Sequence, residues 1–336
     1  MTIADERRPN GRPLLQIDDL AVSFGPGLDA VRGVSLTAER GEVVAIVGES
    51  GCGKSATALA LMSLLPSNAT SSGSATIGNQ ELIGVSEHRL RSIRGTTVSM
   101  IFQDAATALN PLMAAGAQIG EVLAIHGNLN RRQRAERATA LLEDVGVPDA
   151  AIRSKQLPHE LSGGMRQRVM IAIALAGSPD LVIADEPTTA LDVTVQAQVL
   201  ALLRDSTRDS VVLFITHDMG VVAETADRVV VMYAGRVVES GAIADVLDRP
   251  QHPYTAALLA SIPDPDVPRT GDLPTIAGRV PPLGQRPAGC AFRDRCPRAL
   301  DRCSEEPALV PSAVTGAEVA CWNPVPTQDS RQDVTS

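Results

Sequence analysis

The sequence predicts an α/β fold: a parallel sheet carries a nucleotide at its C-terminal edge, an antiparallel β unit precedes it, helices interrupt it, and a small cysteine-rich extension follows. Three observations predict it. The stretch Gly48-Glu49-Ser50-Gly51-Cys52-Gly53-Lys54-Ser55 stands between the β-branched run Val43–Val47 and a helical run from Ala56 to Leu65. The apolar run Leu181–Ala184 ends in Asp185-Glu186, and the apolar run Val211–Ile215 ends in Thr216-His217. Strands buried on both faces of a parallel sheet read as continuous apolar runs, and ligands gather at their carboxyl ends.

The first stretch is the phosphate-binding pattern G-x-x-x-x-G-K-[ST] in its strand-to-helix context. Gly48, Gly51 and Gly53 let the backbone curl so that the N–H groups of Gly48 to Ala56 face a phosphate. The helix start adds its partial positive charge. Lys54 reaches the β- and γ-phosphates as a point charge, and the Ser55 hydroxyl is a hard oxygen suited to Mg²⁺. The chain is expected to bind a nucleoside triphosphate.

Composition bounds the reading. A chain of 336 residues with 44% apolar content can build a sizeable core. A net charge of −9 argues against a general nucleic-acid binder, and no nucleic-acid partner is expected. The opening residues carry mixed charges and prolines instead of a signal-peptide core, and the longest apolar candidate, Val169 to Gly177, is too short to span a membrane. The chain reads as soluble and cytoplasmic.

Taken in order, residues 1–13 read as a disordered N-terminus. Alternating runs at Leu14–Phe24 and Val31–Ala38, joined by Gly25-Pro26-Gly27, predict an antiparallel pair; Phe24, at the end of the first, can stack on a purine or simply be a buried strand residue. Ser71 to Ile77 opens another strand, and Val98–Gln103 reads as a strand ending in a polar amide. The chain then turns helix-rich to about residue 160. Its best helix runs from Asn130 to Val145, with Ala135, Ala138, Leu142 and Val145 on one face, a solvated charged face opposite, and Gly146 as the stop. Leu161-Ser162-Gly163-Gly164-Met165-Arg166-Gln167 opens the next helix, where backbone N–H groups can meet an anion. Asp185 is suited to hold Mg²⁺, Glu186 to orient or deprotonate the attacking water, and His217 to touch a γ-phosphate.

Together these residues resemble the nucleotide-binding subunits of ABC transporters, over about residues 14 to 250. The resemblance rests on the phosphate loop, Gln103, LSGGMRQ at 161–167, LVIADEP at 181–187, Thr189-Ala190-Leu191-Asp192 and His217, in the family's order. It implies an ABC cassette: a RecA-like core, an antiparallel β subdomain and a helical subdomain at about 104–165. It implies that Phe24 stacks on adenine and that Gln103 contacts Mg²⁺ and water and senses a membrane partner. Ser162, Gly163 and Gly164 cap the γ-phosphate held by the opposite subunit, Asp192 communicates across the dimer, Glu186 is the general base and His217 the switch. Two composite ATP sites then need two such subunits.

GESGCGKS, Ile101-Phe102-Gln103-Asp104 with Leu109-Asn110-Pro111, and Arg249-Pro250-Gln251-His252-Pro253-Tyr254-Thr255 resemble the dipeptide and oligopeptide importer ATPases more closely. Ala105-Ala106 departs from that subfamily, which usually has proline and a bulkier residue after the aspartate. The resemblance implies a peripheral place on the cytoplasmic face of the cell membrane, with two transmembrane permeases, a substrate-binding protein and a second ATPase, either a non-identical homologue or an identical copy. ATPases importing nickel or another small solute remain an alternative, as does a non-transport ABC ATPase.

From Ile262 prolines recur through Pro287, which reads as a surface linker within an extension at 251–322. Cys290, Cys296, Cys303 and Cys321 gather there at spacings x5, x6 and x17. In a reducing compartment four thiols argue for a metal over disulfides, and their chemistry suits zinc or a [4Fe–4S] cluster, with free or disulfide-bonded thiols as the remaining alternative. GCAFRDRCPRALDRC resembles the C-terminal extension of peptide-importer ATPases, where some members bind a [4Fe–4S] cluster; the resemblance favours the cluster over zinc. Residues 323–336 read as a disordered tail.

Overall fold

The computed structural model describes residues 13–188, 191, 193–262 and 275–326. Strands β1 (Leu15–Ser23) and β2 (Asp29–Ala38) pair antiparallel, and β3 (Val43–Val47) runs through the phosphate loop into helix α1 (Lys54–Leu61). Strands β4 (Thr70–Ile77) and β5 (Gln80–Glu81) complete a four-stranded antiparallel sheet in the order β2-β1-β4-β5. Helix α2 (Glu87–Ile93) leads to β6 (Val98–Ile101). Then come α3 (Ala105–Ala108), α4 (Ala115–His126), α5 (Arg131–Asp144) and α6 (Ala150–Arg153), all helical, before α7 (Gly163–Leu175) returns to the core. The remainder is β7 (Leu181–Asp185), α8 (Val193–Ser206), β8 (Val211–Ile215), α9 (Met219–Thr225), β9 (Arg228–Tyr233), β10 (Arg236–Ala242), α10 (Pro253–Ala260), β11 (Val310–Pro311) and β12 (Glu318–Val319).

The main sheet has eight strands in the order β11-β12-β10-β9-β3-β8-β7-β6. Strands β9, β3, β8, β7 and β6 are parallel, and β10, β12 and β11 extend the sheet antiparallel. Period-two alternation divides the core between its faces. Leu181, Ile183, Val211, Leu213 and Ile215 pack toward the antiparallel sheet and α1. Val182, Ala184, Val212 and Phe214 pack toward α7, α8 and the helical segment. Both faces are covered, which is why these strands read as unbroken apolar runs.

Several local details differ from the sequence reading. The helix after the phosphate loop starts two residues earlier, at Lys54, and stops at Leu61 because Ser63 adopts a left-handed φ of 49° ahead of Pro66. Strand β6 ends at Ile101, so Gln103 sits on the following loop. In α5, Leu141 takes the buried place expected for Ala135, while Ala138, Leu142 and Val145 are buried; the Asn130–Gln133 capping box closes its start.

The extension is built into the body. Strand β12 pairs with β10, and Glu239 on β10, fully buried, accepts the backbone N–H groups of Gln251 and His252 at 2.6 and 3.0 Å. His252 Nδ1 accepts from the Tyr254 N–H at 3.0 Å and caps α10. Residues 323–326, expected in the disordered tail, are held instead: Val325 donates to the Gln251 carbonyl at 2.8 Å, and the Asn323 side chain pairs with Arg298. From residue 275 the proline-rich stretch is largely exposed, Leu283 by 36%. A Cβ at Gly284 would stand 3.3 Å from Leu28, so this stretch lies against the turn after β1.

Burial of His252 lowers its pKa to about 3. Unfolded, the imidazole takes up a proton below about 6.5; folded, it does not until near 3, so the unfolded state binds more protons across that window. Stability is therefore expected to fall as pH drops below about 6.5, by up to about 1.4 kcal/mol per unit from this group. Melting curves at descending pH for the protein and His252→Gln check this, and an identical pH dependence in the variant would refute it.

Candidate nucleotide site

The carboxyl ends of β3, β8, β7 and β6 lie side by side, so the sheet order alone brings together the phosphate loop, His217, Asp185-Glu186 and Gln103. Ser50, Gly51, Gly53, Lys54, Ser55, Ala56, Gln103, Glu186 and His217 line one cavity of about 380 Å³, with Ala30 and Leu283. The loop needs two of its glycines for space. At Gly48 a Cβ would fall 2.2 Å from the Met232 carbonyl, and at Gly53, 2.6 Å from the Ala30 carbonyl; both have positive φ. Lys54 is buried, and its Nζ donates to the Gly48 and Glu49 carbonyls at 2.6 and 3.2 Å, which points the ammonium into the loop's own hollow. Cys52 lies buried beneath the loop, where burial raises its thiol pKa.

Asp185 and Ser55 meet beside this hollow, Ser55 Oγ donating to Asp185 Oδ1 at 3.4 Å. Burial pushes the Asp185 carboxyl up, with the Ser55 hydroxyl pulling it back. Two hard oxygens next to a phosphate loop are a donor set that fits Mg²⁺, which takes one or two protein ligands and completes its shell from phosphate and water.

Glu186 stands between two partners: Gln103 Nε2 donates to its Oε2 at 3.0 Å and His217 Nδ1 lies 3.1 Å from its Oε1. With the carboxylate as acceptor, Nδ1 carries the imidazole proton. Glu186 itself adopts φ +47°, a left-handed backbone rare for a non-glycine residue, fixed by its N–H donating to the Ile215 carbonyl at 2.8 Å. The twist turns its side chain off the strand line and into the cavity.

Other expected residues lie elsewhere. Ser162 caps α7, its Oγ accepting from Met165 N–H at 3.3 Å; Ser162 and Gly163 are exposed, Gly164 is half-buried, and none of the three lines the cavity. Phe24 is half-buried against the core beneath the antiparallel sheet and is not part of the cavity wall. Thr189, Ala190 and Asp192 lie outside the described residues.

The sequence reading missed a second layer. Glu49 of the phosphate loop is bound through its backbone N–H to the Tyr254 hydroxyl at 2.8 Å and through its carboxylate to Arg295 at 2.7 and 3.1 Å. Leu283, from the proline-rich stretch, lines the cavity itself. The only signal for either in the sequence is the rarity of aromatic residues, which makes Tyr254 conspicuous.

The four cysteines expected to hold a metal gather in one lobe. Cys296, Cys303 and Cys321 accept backbone N–H groups at 3.4 Å, and Cys290, Cys296 and Cys303 all act electrostatically on Cys321, whose thiol burial pushes up to about 11. Among the described residues, however, no group of three histidine, cysteine or acidic side chains is arranged to hold a metal ion. The four thiols share one neighbourhood, and the expected [4Fe–4S] or zinc site gains no support from their placement. No helix among the described residues is long and apolar enough to cross a membrane.

Residues 31–189 match the family model described as ABC transporter, and residues 238–303 match the one described as Oligopeptide/dipeptide transporter, C-terminal region. The chain is 49% identical to the probable D,D-dipeptide transport ATP-binding protein DdpD of Escherichia coli, over 93% of this chain and 97% of that one. It is 46% identical to the oligopeptide transport ATP-binding protein OppD of Salmonella typhimurium, over 93% and 94%, and 46% identical to the dipeptide transport ATP-binding protein DppD of Bacillus subtilis, over 95% and 96%. Among solved structures, the dimeric ATP-binding cassette MJ0796 bound to ADP and Pi matches with a TM-score of 0.60 and 27% identity, covering 68% of this chain and 98% of that one.

Proposed function

This chain belongs to the peptide-transport ATP-binding proteins of the ABC transporter family, and from that premise we propose that it hydrolyses ATP to power the import of dipeptides or oligopeptides across the cytoplasmic membrane. The carrying observation is the near end-to-end likeness to relatives named for dipeptide and oligopeptide transport, the cysteine-rich region included. The experiment is uptake of labelled di- and oligopeptides into vesicles holding the chain with its permeases and binding protein. ATP-dependent uptake that vanishes with Glu186→Gln supports the reading; ATP-driven uptake of nickel with no peptide uptake overturns the cargo.

In the chemistry proposed here, Lys54 and the loop N–H groups hold the triphosphate, and Ser55 and Asp185, with Gln103 nearby, would hold Mg²⁺, which would supply positive charge beside the phosphates. Glu186 accepts the proton of the attacking water. His217 steadies the carboxylate from one side and Gln103 from the other, and Gln103 is placed to report cation and water to the helical segment beside a permease. Ser162, Gly163 and Gly164 lie off their own cavity, which supports a role on the γ-phosphate of a facing subunit, with Asp192 working across the same interface and Phe24 stacking on the adenine. The facing subunit is a second ATPase of the same kind, identical or homologous, on the cytoplasmic face of the membrane.

For the thiol lobe, anaerobic purification with metal analysis is the test. About four irons per chain with a brown colour, lost in Cys296→Ser, would establish a cluster. A colourless, metal-free chain would leave the lobe as packed thiols.

A further inference from the structure

We propose that Arg295 is a positioning residue for the phosphate loop: from the cysteine-rich extension it grips Glu49 and thereby sets the backbone that binds ATP. The inference deepens the ATPase reading and rests on it.

The grip is complete at the atomic level. Arg295 Nη1 and Nη2 donate to the two Glu49 carboxylate oxygens at 2.7 and 3.1 Å, a bidentate fork. The remaining N–H groups go to the Tyr233 hydroxyl at 3.3 Å, the Ile276 carbonyl at 3.3 Å and the Ala277 carbonyl at 2.7 Å. All five guanidinium donors are thereby used. The guanidinium also lies 5.8 Å from the ring centroids of both Tyr233 and Phe292.

The platform beneath it is rigid. Tyr233, Tyr254 and Phe292 are fully buried, with centroids 4.7 to 5.4 Å apart, and Tyr254 binds the Glu49 backbone N–H from below. Glu49 is thus held directly by Tyr254 of α10 and by Arg295, and through Arg295 by Tyr233 of β9. Lys54 in turn donates to the Glu49 carbonyl, which places the phosphate-binding ammonium one hydrogen bond from the gripped residue.

Mere docking does not account for this. The extension has another ionic tie to the body, Arg32 and Arg236 to Glu306, with side chains 27 to 37% exposed. Such exposed pairs contribute little. The Arg295 side chain is only 6% exposed and Glu49 28%, so removing Glu49 would leave a largely buried guanidinium without its counter-ion. Here that counter-ion belongs to the loop itself.

The test is nucleotide titration of the full-length chain with a fluorescent ATP analogue and Mg²⁺, with the melting temperature of each nucleotide-free variant recorded alongside. Arg295→Met is expected to weaken binding about 3- to 30-fold, the range for residues acting on a site through a contact. Arg295→Lys, which keeps the charge and loses the fork, should fall between, and it carries the test if Arg295→Met does not fold. Glu306→Gln should bind as the unmodified protein does. The double variant Arg295→Met, Glu49→Gln should bind no worse than Arg295→Met alone, because both act through one contact. Unchanged affinity in Arg295→Met and Arg295→Lys, or losses that multiply in the double variant, would overturn the inference. Failure of the unmodified chain to bind, or full binding by Lys54→Ala, would instead overturn the ATPase reading.

Discussion

Glu186→Gln is expected to bind ATP as the unmodified protein does and to turn it over about 10²- to 10⁴-fold more slowly. The side chain keeps its shape and still has an oxygen to accept from Gln103 or His217, so the cavity survives. What disappears is the carboxylate that can take a proton from water. The left-handed backbone at residue 186 is a further reason to place the chemistry there, since φ +47° on a glutamate persists only where surrounding structure imposes it. Single-turnover hydrolysis beside an equilibrium binding titration separates the two effects. Turnover within a few-fold of the unmodified protein would refute the role.

Lys54→Ala acts on the other half of the reaction. Its ammonium is buried and points into the loop hollow, where among the described residues it donates to two loop carbonyls and the weak acceptor Cys52 Sγ. A phosphate arriving in that hollow replaces neutral acceptors with an anion. Removing a charged hydrogen-bond partner of this kind typically costs about 1.5 to 3 kcal/mol, so affinity for ATP should drop roughly 10- to 150-fold. The apo fold should persist, because Gly48 and Gly53 set the loop's path. A titration showing unchanged affinity would refute it.

The contrast between these two predictions and the Arg295 grip shows what was legible in the residues. Lys54, Ser55, Asp185, Glu186 and His217 all stand at or just beyond the ends of short apolar runs, and a strand's direction delivers its terminal residues to one sheet edge. Their convergence follows from local pattern. Arg295 and Glu49 are 246 residues apart, and nothing local in either stretch marks a partner. The proline-rich stretch shows the same limit: its prolines exclude a helix and the chain is largely exposed, but they do not say that Leu283 borders the nucleotide cavity. The cysteine spacing did mark one lobe: Cys290, Cys296 and Cys303 all act electrostatically on Cys321.

The amino-acid sequence by itself determined the α/β class, the strand ends that carry the nucleotide chemistry, and the helix of the insertion that runs over Arg131–Asp144. Each depends on contacts a few residues apart, where hydrophobic period and glycine placement decide the outcome. Only the tertiary structure decided that the extension joins the main sheet through β12, that Tyr254 and Arg295 grip the phosphate loop, and that the signature at Ser162 lies off its own cavity. Those are pairings between distant segments, selected by burial of three aromatic rings and by the Arg295–Glu49 fork, and such energies exist only once the segments have met.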